Sequence, residues 1–414
     1  MTAERKLLVV QVAGLGWDLL NKYGSSRWDE LRFEPAQSVF PAVTCAVQAA
    51  FRTGLMPVDA GMPGNGFYDP KLNKVFFWEQ SSSLVQGERI WDDFRARGGK
   101  SGMLFWQQSM GEQVDFIMTP APIHKHHGGM IQDCYSQPKD LYQRVADSMD
   151  RTFDLKYYWG PQASCLSSQW IAKATEKVMQ MDDAPGFLMT YLPSMDYDLQ
   201  RYGVSHESSG VALRELFVDL DLLRKAAKDK GYELLVFGDY AIADVTAGPV
   251  YLNRVLLEEG YLKTREVKSR LYADLPGSRA FAVCDHEAAQ IFIRDEDDSK
   301  KVLKLINNVE GVETVQDNIA VAADGSWFAY QWWDDDAMAP EYATHVDIHN
   351  KPGFDPCELF TGNFFWQTSL DATRVGGSHG RVGPGREVCW TSTLWNDDVE
   401  DLLELSRRVE EYLG

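Results

Sequence analysis

Short apolar runs alternate along this chain with longer stretches of helical spacing. Leu7 to Val12 is a short apolar run ending at Gly14, and it reads as a buried parallel strand. After Thr44, the residues Ala46, Ala49, Ala50 and Leu55 keep helical spacing and stop at turn residues. Leu166 to Met181 and Val211 to Lys230 set apolar positions on one helical face and charges on the other. Each precedes a strand-like run, Gly186 to Tyr191 and Glu233 to Phe237. This alternation predicts an α/β protein with a doubly wound, mostly parallel central sheet flanked by helices. Ligands bind such sheets at the C-terminal strand ends, and Asp196 and Asp239 fall just beyond two of them.

The texture changes between Arg279 and Val315. Two apolar runs, Ala280 to Val283 and Ala289 to Ile293, precede a charged turn at Asp295 to Asp298 and a helix from Lys300 to Val309. The pattern predicts a small α+β insertion over 268–333, with 1–267 and 334–414 forming the core. Asp398 to Leu413 has the spacing of an amphipathic helix.

Composition narrows the function classes. The chain has 414 residues, 44% hydrophobic and 25% charged, enough for a sizeable core. A net charge of −20 argues against nonspecific nucleic-acid binding and against docking on anionic membranes. It leaves open a small phosphate-containing ligand, because local groups set the field inside a site. Thirteen Trp and twenty Phe suit an aromatic-lined cleft. Six scattered cysteines without a CxxC pair read as buried free thiols. With no apolar leader or membrane-length run, the expected location is cytoplasmic. No feature fixes an oligomeric state.

Several residues can carry chemistry. Thr44 opens a helix, where free backbone N–H groups and the helix dipole favour an incoming phosphate. Local pattern alone favours a helix N-cap at this position. Asn65, in a glycine-rich loop, can donate to a phosphate oxygen or simply form a turn. Asp196, Asp239 and His379, each in a loop or beyond a strand end, can together hold a divalent cation. In an extended segment His345, Asp347 and His349 would share one face, giving either a metal site or a hydrogen-bonded cluster that Lys351 and Asp355 can extend. Asp285-His286 reads as a turn or a rim contact, and His124, His126 and His127 as a solvated loop flanking a cleft.

Five stretches, VVQVAGLGWD, FPAVTCAVQAAFRTG, YLPSMDYDLQRYG, LLVFGDYAIADV and GGSHGRVG, together resemble the alkaline phosphatase superfamily, in its type I phosphodiesterase/nucleotide pyrophosphatase branch. The wording is closest to a bacterial nucleotide pyrophosphatase-like subgroup. The resemblance implies Thr44 as nucleophile and Asn65 as phosphate contact. It implies one metal at Asp196, position 200 and His379, and a second at position 13, Thr44, Asp239 and position 240. Here these positions hold Gln200, Ala13 and Tyr240. Ala13 offers no ligand atom, the Tyr240 phenol titrates near ~10, and the Gln200 carbonyl suits a hard cation better than zinc. The expectation is an atypical phosphodiester or pyrophosphate hydrolase with a reduced or rebuilt metal site holding Zn, Mn or Mg, with one ion rather than two, or none. The alternatives are a non-catalytic binding protein, or a different metabolite transformation on the same frame.

Overall fold

A computed structural model describes residues 5–126, 129–364 and 366–414, so His127 lies outside the described residues. The central sheet is built from β1 (Leu7–Val12), β2 (Glu34–Ala36), β3 (Ser101–Leu104), β4 (Phe116–Pro120), β5 (Cys134–Gln137), β6 (Phe187–Leu192), β7 (Glu233–Gly238) and β8 (Val388–Ser392). Its order is β5-β4-β3-β6-β1-β7-β8-β2. β4, β3, β6, β1 and β7 run parallel, and the flanking β5, β8 and β2 pair antiparallel to their neighbours.

The continuous apolar runs follow from this arrangement. Every residue of β1 and β6 is buried, as expected of parallel strands covered on both faces. Leu7, Leu8, Val9, Val10 and Val12 are fully removed from solvent, and each such side chain is worth about 1.5–3 kcal/mol of burial. The helix Thr44–Thr53 packs on this sheet through Phe51, whose ring stacks on Phe237 at 4.6 Å. It is backed by the C-terminal helix Leu402–Leu413, where Ser406 donates to the Phe51 carbonyl.

Strand register decides where the site forms. Val12 pairs with Leu192 on one side and with Gly238 on the other, so the three central strands end level. Ala13 and Asp239 therefore leave the sheet at one edge, where Asp196 sits in the first turn of the helix Ser194–Tyr202 rather than in a loop. The chain after β1 crosses directly over β7: a Cβ on Gly238 would stand 2.2 Å from the Leu15 carbonyl oxygen, so only glycine fits there.

A second, antiparallel sheet takes the strands Ala280–Asp285, Ala288–Ile293, Ile319–Ala322 and Val312–Gln316 in that order, with the helix Glu296–Asn307 against it. Its apolar cluster also draws on Val75, Phe77, Val250, Trp333 and Phe354. The helix begins earlier than the charge pattern predicts. Asp295 caps it by accepting from the Asp297 N–H, so the acidic residues form its first turn rather than a loop. All six cysteines are free thiols. Among the described residues, no helix is long and apolar enough to cross a membrane.

Candidate active site

Above the level strand ends lies a cavity of about 600 Å³. Thr44, Asp196, Gln200, Tyr240, His286 and His379 form its polar floor, and Trp78, Trp159, Tyr158, Tyr197, Phe354 and several prolines form much of its wall. Among the described lining residues Lys156 is the sole Lys or Arg, and it is paired with Asp154 at 2.8 Å.

Thr44 is the first residue of its helix, and Val43 occupies the cap position, so the N-cap reading of Thr44 gives way. The buried Thr44 hydroxyl lies 3.3 Å from the Tyr191 hydroxyl. Asn65 bridges two neighbours: its Oδ1 accepts from the Cys45 N–H at 2.9 Å, and its Nδ2 donates to Asp285 Oδ1 at 3.0 Å.

Each buried aspartate is wrapped by donors. Asp239 Oδ1 accepts from the Gly14 and Tyr240 backbone N–H groups, and its Oδ2 accepts from Gln11 Nε2 at 3.0 Å. Asp196 Oδ1 accepts from the Tyr240 hydroxyl at 3.1 Å, and its Oδ2 from Gln200 Nε2 at 2.6 Å. Burial pushes the Asp196 carboxyl up to about 7, against the pull of these hydrogen bonds and of Arg201. Burial also raises Asp239 well above the ordinary carboxylate range, with Asp196 adding to the rise.

The imidazoles are neutral. His379 is held well below its usual range by burial and by the neighbouring His286, and His286 by burial. His379 Nδ1 lies 2.7 Å from the Ala42 carbonyl, and its Nε2 stands 3.9 Å from Asp196 Oδ1, beyond a hydrogen bond. The Tyr240 ring lies flat on His379, with centroids 3.5 Å apart and planes at 1°.

These residues form a hydrogen-bonded network in which Gln200 Oε1 and His379 Nε2 are left buried without a partner. Hydrogen-bond donors stand against both carboxylates where cations would supply charge, and Tyr240 covers one face of His379. Among the described residues, no group of three or more His, Cys, Asp or Glu could hold an ion. The HVDIHN segment does not make one either. It is a turn rather than an extended run, so the side chains do not share a face: His345 Nδ1 faces the Glu341 carbonyl, Asp347 accepts from the Asn350 amide, and His349 Nδ1 faces the Phe77 carbonyl. Asp347 and His349 instead form part of the cavity wall, as does His124. Lys351 belongs to a buried ion cluster with Asp355 and Glu358.

One contributor escaped sequence reasoning, and a second was seen only in part. Gln11, the lone polar residue inside an apolar strand, was the available signal for a buried donor. Asp285-His286 does fall at a turn between two strands, and what the sequence did not show is that both side chains are buried at a hairpin tip, with His286 lining the cavity.

The fold and the site define an α/β protein of the alkaline-phosphatase type. The family model for type I phosphodiesterase/nucleotide pyrophosphatase matches residues 7–355. A human relative, ectonucleotide pyrophosphatase/phosphodiesterase family member 1, is 31% identical over 97 residues, which span 22% of this chain and 10% of that protein. Among solved structures, murine ectonucleotide pyrophosphatase/phosphodiesterase 5 superposes with a TM-score of 0.61 at 15% identity, covering 99% of this chain and 95% of the other. An inactive form of that murine protein is in complex with AMP. Phosphonoacetate hydrolase from Sinorhizobium meliloti 1021, in complex with phosphonoacetate, superposes with a TM-score of 0.58 at 14% identity, covering 99% and 96%. The chain belongs to the type I phosphodiesterase/nucleotide pyrophosphatase family, which at family level is one of phosphoester hydrolases and is typically dependent on divalent metals.

Proposed function

We propose that this chain is a phosphodiester hydrolase whose centre is rebuilt to work without the metals typical of its family, with Thr44 as nucleophile. The observation that carries this reading is the position of Thr44, a buried hydroxyl on the first residue of a ten-residue helix in the cavity floor. The helix start offers N–H groups and a positive dipole end to a phosphoryl oxygen. Asn65 holds the Cys45 amide in place at that start.

Burial lessens the repulsion a phosphate anion meets here, because it raises Asp239 well above the ordinary carboxylate range and shifts Asp196 to about 7. With one paired lysine as the sole Lys or Arg of its described lining, the cavity suits the single charge of a diester better than a pyrophosphate chain. Its aromatic wall takes the organic groups of the ester.

The binding-protein reading keeps one specific support: the donors on Asp196 and Asp239 leave both carboxyl groups satisfied without any reaction partner. Turnover of bis(p-nitrophenyl) phosphate in the presence of a chelator separates the two. The proposal expects slow, chelator-resistant release of p-nitrophenol that Thr44→Ala abolishes. No release under any metal condition, with AMP raising the melting temperature, would instead support a binding protein.

A further inference from the structure

The hairpin Ala280–Asp285/Ala288–Ile293 has an unusual tip. Turn residues normally face water, yet Asp285, His286 and Glu287 are 3%, 3% and 2% exposed. His286 adopts φ +61°, a left-handed conformation that favours glycine. Strained backbone of this kind clusters at functional sites, where the surrounding structure holds it in place. Here the clamps are visible. Phe328 N–H donates to the His286 carbonyl, Glu287 N–H donates to the His379 carbonyl, and Glu287 is paired with Arg386 at 3.0 Å.

The strained turn presents an oriented imidazole to the cavity. His286 Nδ1 lies 2.8 Å from Asp285 Oδ1. Asp285 is itself fixed, because its Oδ2 accepts from the Asn65 N–H at 2.7 Å. A carboxylate on Nδ1 places the proton there and leaves Nε2 as the basic nitrogen. The ring is clamped between Phe354 at 3.7 Å and His379 at 3.8 Å. Its Nε2 is buried without a hydrogen-bond partner, and His286 lines the cavity together with Thr44. His379 Nε2 is also buried without a partner, but its Nδ1 meets the Ala42 carbonyl rather than a carboxylate, so it lacks the orienting Asp that His286 has.

We propose that His286 is the catalytic base that takes the place of metal activation at Thr44, with Asp285 as its positioning residue. This rests on the hydrolase reading above. As Thr44 Oγ1 attacks phosphorus, its proton passes to His286 Nε2. The bond from phosphorus to the leaving oxygen breaks, and His286 returns the proton to that oxygen, releasing one alcohol and leaving Thr44 joined to a phosphoryl group that still carries the second ester substituent. Water then attacks phosphorus and gives its proton to His286. The bond from phosphorus to Thr44 breaks, and the proton returns to Thr44.

The test uses His286→Asn, which tolerates the left-handed backbone, and His286→Gly, which also leaves room for a small base. With bis(p-nitrophenyl) phosphate, His286→Asn is expected to lower kcat by about 10²–10⁴-fold with KM little changed, the usual contribution of a general base. Added imidazole should restore part of the kcat of His286→Gly, a rescue that a purely structural role would not permit. Circular dichroism establishes that both variants fold. Wild-type kcat in a folded His286→Asn variant, or no rescue of an impaired His286→Gly, would overturn the dyad while leaving the hydrolase reading intact. A wild-type protein that turns over no diester would overturn both.

Discussion

Lys351 sits at the centre of a buried ion cluster beside the cavity. Its Nζ lies 2.8 Å from Asp355 Oδ2 and 2.6 Å from Glu358 Oε1, with the lysine side chain 1% exposed. Glu358 also accepts from the Asp347 N–H at 2.8 Å and from Trp159 Nε1 at 2.5 Å, so the cluster pins the wall that carries Asp347 and His349. Burial works against the ammonium, but Asp355 and Glu358 outweigh it and hold its pKa above the ordinary value. Lys351→Met would keep most of the volume and remove the charge, leaving two carboxylates buried without their cation. Breaking a buried pair in this way costs about 3–5 kcal/mol. The unfolding entropy of 414 residues, at about 2.1 cal/mol/K each, is roughly 870 cal/mol/K, so the melting temperature should fall by about 3–6 °C. Burial already raises Glu358 against the pull of Lys351, so without the lysine Glu358 would hold its proton still more tightly folded than unfolded. Stability would then be lost as pH rises, so the deficit should narrow at pH 5 and widen at pH 8. Scanning calorimetry at both values checks this. A melting temperature within about 1 °C of wild type, or a deficit that does not narrow on acidification, would refute the reasoning.

Other outcomes follow from the same structure. Thr44→Ala should abolish diester turnover while leaving the fold unchanged, and retained turnover would remove Thr44 from the chemistry. Protein purified without a tag or chelator should carry no stoichiometric zinc or manganese by elemental mass spectrometry. Tight metal at one or more equivalents per chain would show the donor-wrapped carboxylates to be poor evidence. The triple change Ala13→Asp, Gln200→His and Tyr240→His should raise divalent-metal affinity, measured by calorimetric titration, because it replaces the donor from Tyr240 and supplies missing ligands. Asp219 offers a pH test away from the site. Burial, with help from Glu215, pushes its carboxyl up to about 7 from 3.8. An acid raised in the folded state costs stability as pH climbs from about 4 through 7, here by up to about 4 kcal/mol. Asp219→Asn should therefore stabilise at pH 8 and not at pH 4, and the reverse order in urea melts would contradict the assignment.

Much of the frame is legible in the sequence, because its signals are local. The run Leu7–Val12 reports a strand buried on both faces, and the spacing in Leu166 to Met181 and Val211 to Lys230 reports helices with one covered face, which the structure bounds at Leu166–Met179 and Glu207–Lys230. The motif around Thr44 and the departures at Ala13, Gln200 and Tyr240 are visible as letters. What those departures mean is not. That Tyr240 lies flat on His379 and donates to Asp196, or that Gln11 reaches Asp239, depends on strands far apart in sequence ending level. The HVDIHN segment shows the converse: alternation suggested a shared face, but a turn held by Asp347 and Asn350 separates the side chains. Asp285-His286 looks like an ordinary hairpin turn in one dimension. It becomes a buried, oriented dyad only because the second sheet packs its hairpin tip onto the edge where the first sheet ends. Periodicity encodes which face of an element leaves water, while the pairing of polar groups inside a site is set by long-range packing, and that is decided in three dimensions.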